Sequence, residues 1–109
     1  MVINFEEFQR VELTVGKILA AERVPETDKL VKLSVDFNEE KPRQIISGIA
    51  EYFSVLSQLV GKNFLFATNL EPRFIKGLES NGMILAAKSG RAFSLFKAPG
   101  KIKPGTRAS

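Results

Sequence analysis

Residues 30–49 read LVKLSVDFNEEKPRQIISGI, and the pattern of this stretch decides the fold. Apolar and polar residues alternate over 30–37, which is typical of a strand with one buried face. The polar residues at 38–42 indicate a turn, and 43–49 has the composition of the next strand. The stretch therefore predicts an antiparallel hairpin with Val31, Leu33, Val35 and Phe37 on its apolar face.

The segment before this hairpin predicts another strand and a short helix. Residues 11–20 read VELTVGKILA, and their apolar positions change phase after Gly16, which predicts a β-bulge at that glycine. Residues 4–10 predict one or two helical turns, in which Asn4 is the cap and Phe5 and Phe8 share a face. A long first strand that bends in this way helps a small barrel to close.

The segment after the hairpin predicts a helix and further strands. An apolar stripe over 50–60 predicts a helix that ends at Gly61. Residues 62–70 predict a fourth strand, 71–81 a loop, and 82–88 with 91–97 a last hairpin around Ser89 and Gly90. The remaining residues, 98–109, contain two prolines and two glycines, and we expect them to be extended.

This order of elements predicts one all-β domain over residues 1–109, with 1–10 as an N-terminal extension and 98–109 as a C-terminal tail. Three strands, a helix and then more strands are the layout of an OB-fold, a five-stranded Greek-key barrel. We therefore expect an OB-fold barrel with a short helix between strands three and four, an N-terminal helical turn and an extended tail. Such barrels often bind oligonucleotides, although a fold does not dictate a function.

The composition argues against an enzyme. The 109 residues include no Cys and no His, which removes thiolate chemistry, the commonest general base and the commonest metal ligands. No phosphate-binding loop, dinucleotide fingerprint or metal motif is found. We therefore expect no catalytic residues, no cofactor and no metal. Without a secretory signal or an apolar run of about 20 residues, we also expect no membrane partner and a cytoplasmic location.

The charge of the chain is unevenly distributed. Residues 1–79 hold ten Lys and Arg and all twelve Asp and Glu, a net charge of −2, whereas residues 80–109 hold six basic residues and no acid. Clustered Lys and Arg favour a polyanionic partner, because binding releases condensed counterions. A solvated basic tail would give the same counts, so charge alone leaves both interpretations open.

Three segments resemble a known family. Residues 27–30 read TDKL, residues 43–49 read RQIISGI, and residues 69–83 read NLEPRFIKGLESNGM. In this order they resemble the tRNA-binding domain family, which includes stand-alone tRNA-binding proteins and the C-terminal appendage domain of methionyl-tRNA synthetases. The resemblance extends over nearly the whole chain.

The resemblance implies an OB-fold that binds the outer surface of tRNA in a structure-specific way and supports aminoacylation. It also implies a homodimer, with methionyl-tRNA synthetase as a possible protein partner. The alternative is a dimeric protein-interaction module like the secretion-chaperone branch of the family, which binds unfolded polypeptide. The motifs Asp28-Lys29-Leu30 and Ser47-Gly48-Ile49 look more like the synthetase-appendage branch.

The candidate tRNA-binding residues lie in loops and on the polar strand faces. Lys76 and Arg73 would contact phosphates, Ser80 a phosphate or ribose, and Met83 the face of a base. Three of the candidates also have a specific structural interpretation. Asn69 could brace the following loop, Lys32 could be a solvated strand residue, and Met83 could belong to the core. The full set is Lys32, Arg43, Asn69, Arg73, Lys76, Ser80, Met83, Lys88 and Arg91.

The aromatic residues predict how RNA would be recognised. Phe37, Phe64 and Phe66 lie in the apolar phase of their strands and are expected in the core. Single-strand binders instead expose aromatic side chains on the barrel face. The sequence therefore favours recognition of a folded RNA through its shape and backbone over the stacking of single-stranded bases.

Overall fold

A computed structural model describes all 109 residues and has ten strands. A short helix, α1, precedes the strands, and two 3₁₀ helices lie between the third and fourth. In chain order the elements are α1 Phe5–Gln9, β1 Leu13–Arg23, β2 Val31–Asp36, β3 Arg43–Ser47, the 3₁₀ helices Ala50–Tyr52 and Leu56–Leu59, β4 Asn63–Ala67, β5 Arg73–Ile75, β6 Leu78–Ser80, β7 Met83–Ile84, β8 Ala86–Ser89, β9 Ala92–Leu95 and β10 Lys97–Ala98.

One antiparallel sheet forms the barrel. Its strand order is β10-β4-β1-β2-β3, and β7 also pairs with β4. The hairpins β5–β6 and β8–β9 are two further sheets of two strands each. The predicted all-β class and barrel architecture are confirmed, and so is the central hairpin, in which Leu33 of β2 pairs with Ile45 of β3.

The core is built from the alternating residues of these strands. Ile18, Leu33, Val35 and Ile45 are fully buried. Phe37, Phe64 and Phe66 are also buried, as predicted, and the rings of Phe37 and Phe66 meet edge to face with centroids 5.2 Å apart. Burial of these apolar side chains is the main favourable contribution to folding.

Gly16 has a different role from the one that its sequence context predicts. The bulge lies at Leu19, because the β1–β2 register shifts between Ile18 and Ala20. Ile18 and Ala21 pack on the core on either side of the shift, and Ala20 is exposed. A Cβ at Gly16 would lie 2.5 Å from a ring carbon of Phe37, so the glycine makes room for that ring.

The predicted helix over 50–60 is replaced by the two 3₁₀ helices. Phe53 and Val55 between them have extended backbone, with φ of −134° and −129°. The extended backbone allows the ring of Phe53 to pack edge to face against Phe93. Contacts from distant parts of the chain thus override the local helical pattern, as is common for short segments.

The predicted loop over 71–81 contains the hairpin β5–β6. Lys76 and Gly77 form its two-residue turn, with φ of +52° and +78°. Two positive φ values define a type I′ turn, whose twist matches that of the flanking strands. The loop prediction was therefore wrong for 73–80, because each strand has only three residues and shows too little alternation to be recognised.

The tail is folded back onto β1. Backbone N–H groups of Gly105 and Ala108 donate to the carbonyls of Val15 and Leu13, and Val15 donates to the carbonyl of Thr106. Residues 99–105 form turns instead of the predicted extended chain. At the other end, α1 has the predicted Asn4 cap, and Glu7 completes a reciprocal capping box.

Candidate nucleic-acid interface

A groove of about 550 Å³ lies on the outer face of β1–β3. The alternation that buries Leu33 and Val35 turns Lys32 and Ser34 outward on β2, and β3 contributes Arg43 and Gln44 to the same groove. We call this feature the sheet groove; its polar lining residues are Glu22, Lys32, Ser34, Lys41, Arg43 and Gln44. The structure therefore brings together the predicted site residues Lys32 and Arg43.

Lys32 is paired with an acid inside the sheet groove. Its Nζ lies 2.8 Å from Oε1 of Glu22, and both side chains are substantially exposed. Exposed ion pairs of this kind contribute little to stability, about 0–1 kcal/mol. A phosphate can therefore take the place of the Glu22 carboxylate at small cost.

Arg43 is held from three sides. Its guanidinium donates two hydrogen bonds of 2.8 Å to the carboxylate of Glu39 and one to the carbonyl of Thr68, and it lies over the ring of Phe37. The hydrogen bonds from Arg43 lower the pKa of Glu39, although partial burial opposes the shift. The same bonds raise the pKa of Arg43. Arg43 therefore stabilises the wall of the groove, and the carboxylate of Glu39 neutralises its positive charge.

The hairpin β5–β6 is fixed beside the sheet groove by hydrogen bonds to β3. Gln44 Nε2 donates to the carbonyl of Glu79, and the N–H of Asn81 donates to the carbonyl of Gln44. Ser80 is 4% exposed; its Oγ accepts from the N–H of Ile46 at 2.9 Å and donates to the carbonyl of Gly82. The prediction that Ser80 contacts RNA is thus opposed by its burial, because its hydroxyl is committed within the protein.

Asn69 also bonds within the protein. Its Oδ1 accepts from the N–H of Glu12 at 2.8 Å, and its Nδ2 donates to the carbonyl of Arg10. This corresponds to the bracing alternative, with the difference that Asn69 holds the N-terminal segment instead of the loop that follows it. A partner in the N-terminal segment is not visible in local sequence, since the residues are 57 positions apart.

Lys76 lines a second groove, which joins two of the segments that carry the family resemblance. The groove measures about 400 Å³ and lies between the tip of β5–β6 and the loop that links β1 to β2. We call it the loop groove; its charged lining residues are Glu26, Asp28, Lys29 and Lys76. Lys29, which the sequence left undecided, therefore lies beside a predicted phosphate contact.

The remaining candidates fall into two groups. Arg73 is exposed at the start of β5, and Met83 is 44% exposed on β7, so the core alternative for Met83 was wrong. Lys88 and Arg91 belong to the β8–β9 hairpin and its turn and line neither groove. The Nζ of Lys88 lies 5.5 Å from the centroid of the Tyr52 ring, which stacks on Phe93 at 3.9 Å.

Sequence reasoning missed three residues at these surfaces. Lys41 and Gln44 line the sheet groove, and Phe74 is 73% exposed on β5. Gln44 could have been found from the alternation of β3, which places it on the same face as its cross-strand partner Ser34. Phe74 was not recognised because it lies in the segment 71–81, which the sequence predicts to be a loop.

No group of three or more His, Cys, Asp or Glu side chains could hold a metal ion. None of the helices combines the length and the apolar character that a membrane crossing needs.

Comparison with known proteins gives a consistent result. The family model described as "Putative tRNA binding domain" matches residues 13–107. The methionine–tRNA ligase of Methanosarcina mazei is 44% identical over 107 residues, which are 97% of this chain and 15% of the ligase. The chain therefore spans only a small part of the curated relatives that it matches.

Solved structures show the same likeness. The MetRS related protein from Pyrococcus horikoshii superposes with a TM-score of 0.92 at 35% identity, covering 100% of this chain and 99% of that protein. The chaperone CsaA from Bacillus anthracis has a TM-score of 0.86 at 24% identity, with 100% of both chains covered. At that identity the second likeness shows a shared fold and nothing more.

Proposed function

Because this chain belongs to the tRNA-binding domain family, we propose that its two grooves hold the sugar-phosphate backbone of a folded tRNA. The cations for this contact are Lys32 and Lys41 in the sheet groove, Lys29 and Lys76 in the loop groove, and Arg73 at the start of β5. Lys32 would exchange the Glu22 carboxylate for a phosphate. Phosphate contacts of this kind position a protein on the nucleic acid without reading its sequence.

The convergence of the resembling segments is the observation that carries this proposal. Residues 27–30 and the tip of β5–β6 line the loop groove, and Arg43 and Gln44, the first two residues of the segment 43–49, line the sheet groove. Gln44 connects the two grooves, since it lines one and bonds to the hairpin that lines the other. Three segments that are distant in sequence thus contribute to two grooves that share the β5–β6 hairpin as a neighbour.

The domain is a binding module, homologous to part of an enzyme. We propose that it presents tRNA to methionyl-tRNA synthetase, either as an appendage of that enzyme or as a separate chain in the cytoplasm. The tRNA contact would then raise the local concentration of substrate at the synthetase active site. The relatives named methionine–tRNA ligase support this role.

We also propose that the domain is a homodimer. The N-terminal segment exposes Val2, Ile3, Phe5 and Phe8, and no residue of α1 is buried. Several large exposed apolar side chains in one short segment are typical of a protein interface. Sedimentation equilibrium should therefore give twice the mass of 12.1 kDa, and a monomer at micromolar concentration would contradict this part of the proposal.

The tRNA contact can be tested with Lys76→Asn. Asn-Gly is the preferred pair for a type I′ turn, so this change removes the charge and keeps the hairpin. We expect the slope of log affinity against log salt to fall by about 0.7 to 0.9, the value for one lost phosphate contact. The measurement is a filter-binding titration of tRNA at several salt concentrations.

Lys103→Asn is the matched control, because Lys103 lies in the tail and lines neither groove. It should leave the slope nearly unchanged. Failure of the wild-type domain to bind tRNA at low salt would refute the proposal. Binding of an unfolded polypeptide that is insensitive to salt and to Lys76→Asn would support the chaperone-like alternative instead.

A further inference from the structure

Phe74 is an aromatic side chain that the fold does not use. It is 73% exposed, whereas Ile75, Leu78 and Ser80, which lie on the opposite face of the hairpin, are buried or half-buried. Successive residues of a strand point to opposite faces, so Phe74 points away from β3 while its neighbours hold the hairpin. An outward ring at this position stabilises nothing within the domain.

The surroundings of Phe74 are those of a nucleic-acid contact. Arg73 precedes it in β5 with its side chain on the opposite face, and Lys76 follows two residues later in the turn of the hairpin. Both cations belong to the proposed tRNA surface. The hydrogen bonds from Gln44 to Glu79 and from Ile46 to Ser80 fix the hairpin, so the ring is held in a defined place.

Glu79 lies directly across the hairpin from Phe74. The two residues are partners in the β5–β6 register, which places their Cβ atoms about 5 Å apart on the same outward face. The Glu79 carboxylate is exposed and takes part in none of the ion pairs of the structure. It therefore offers two acceptor oxygens beside the ring and no donor.

We propose that Phe74 and Glu79 form a subsite for one unpaired guanine of the bound RNA. The base stacks on the Phe74 ring, and the Glu79 carboxylate accepts hydrogen bonds from its N1–H and N2–H groups. Unpaired bases of folded RNA are commonly held by such a combination of aromatic stacking and contacts to the Watson–Crick edge. This inference rests on the proposed tRNA binding and adds a base contact to it.

Guanine follows from the chemistry of the two side chains. An ionised carboxylate can only accept hydrogen bonds, and guanine presents two adjacent N–H donors on its Watson–Crick edge. Cytosine and adenine present one amino group beside an acceptor nitrogen, which the carboxylate would repel. Uracil presents one N–H between two carbonyl oxygens.

The first test measures affinity for a tRNA transcript with Phe74→Ala and Phe74→Leu. Loss of one stacked base should weaken binding about 5- to 100-fold. Leucine keeps an apolar side chain without an aromatic face, so it should recover little of the loss. The control is Phe96→Ala, which removes another exposed ring from outside the two grooves and their hairpin.

The second test uses Phe74→Trp. The chain contains no other Trp, so the indole fluorescence reports on this position alone. RNA stem-loops with one stem sequence and a single unpaired G, A, C or U are the probes. We expect the strongest quenching and the highest affinity for G, and Glu79→Gln should reduce the preference for G over the other bases about fivefold or more.

The outcomes separate this inference from the proposed function. If tRNA binds with a steep salt dependence and Phe74→Ala behaves like Phe96→Ala, the subsite does not exist and the backbone contact stands. If Phe74→Ala weakens binding but the four stem-loops bind equally, the assignment to guanine is wrong. If the wild-type domain does not bind tRNA, the proposed function itself fails.

Discussion

The two small hairpins, β5–β6 and β8–β9, are attached to the same barrel in different ways. Hydrogen bonds from Ile46, Gln44 and Asn81 fasten β5–β6 to the edge of β3. The β8–β9 hairpin is attached through apolar side chains of β9: Leu95 is buried in the core, and the Phe93 ring stacks on Tyr52 with an angle of 5° between the planes and meets Phe53 edge to face. One attachment is polar and directional, and the other is apolar.

This difference bears on which hairpin can position a ligand. Hydrogen bonds weaken steeply when distance or angle changes, so they hold β5–β6 in one position. Stacked rings tolerate some sliding, because offset arrangements over a range of centroid distances are comparably favourable. We therefore propose that the specific RNA contacts lie on β5–β6 and that Lys88 and Arg91 on β8–β9 attract phosphate only in a general way.

The largest effect is expected from Phe93→Ala. The change removes both ring contacts of the β8–β9 hairpin and leaves Tyr52 and Phe53 partly unpacked. We expect a loss of about 2–3 kcal/mol in the free energy of unfolding, below the value for a fully buried Phe, since Phe93 is only half-buried. Urea denaturation followed by circular dichroism measures this loss.

Hydrogen exchange shows whether the loss is local. If the rings alone attach the hairpin, amides over 86–95 should exchange much faster in Phe93→Ala while those of β2 and β3 keep their protection relative to global unfolding. Phe93→Leu keeps much of the apolar area and should cost about half as much. Equal protection of β8–β9 in wild type and Phe93→Ala would show that the two hairpins are attached alike.

An intermediate effect is expected from Ser80→Ala. Removal of the hydroxyl leaves the buried N–H of Ile46 without an acceptor, which costs about 1–3 kcal/mol. Because β5–β6 loses a fixed contact with β3, tRNA affinity should fall as well, although Ser80 is too buried to touch RNA. Chemical denaturation and filter binding on the same variant measure both effects.

Ser94→Ala is the matched control in the other hairpin. Its Oγ donates only to the carbonyl of the next residue, Leu95, and the side chain is exposed. The expected change is within about 0.5 kcal/mol, as for most surface substitutions. If Ser80→Ala destabilised the domain without any change in tRNA affinity, tRNA binding would not depend on the rigid attachment of β5–β6 to β3.

The same contrast explains what could be predicted from sequence. The β2–β3 hairpin was recognised because β2 alternates over six residues and a polar turn separates it from the apolar pair Ile45 and Ile46 of β3. The β5–β6 hairpin was missed because its strands are three residues long and its turn is Lys-Gly, a pair that is not among the common signals for a type I′ turn. Short elements depend on their partners, and the partners are not local.

The site shows the same division. Lys32 was found because strand alternation places it on the outward face of β2. Arg43 was chosen as the first residue of the third strand, and it pairs with the buried Val35. Burial of Ser80 depends on Ile46, 34 residues earlier, and the restraint on Lys88 depends on Tyr52, 36 residues earlier. Neither contact follows from motif or spacing. The ion pair between Arg43 and Glu39 is a contact that the sequence could have revealed, since opposite charges four residues apart can pair across a turn.

The smallest effect is expected from Tyr52→Phe, which keeps the stack on Phe93 and removes only the hydroxyl. The neighbouring Tyr52 side chain raises the pKa of Lys88 from its ordinary value of 10.5. A raised pKa in the folded state means that the stabilising interaction is complete below the unfolded pKa and disappears as the pH rises through the folded one. NMR titration of the Lys88 side chain should therefore show a lower pKa in Tyr52→Phe, with stability at neutral pH almost unchanged because Lys88 is fully exposed. A loss of stability comparable to that of Phe93→Ala would mean that the polar contact holds β8–β9 after all, and the contrast between the hairpins would disappear.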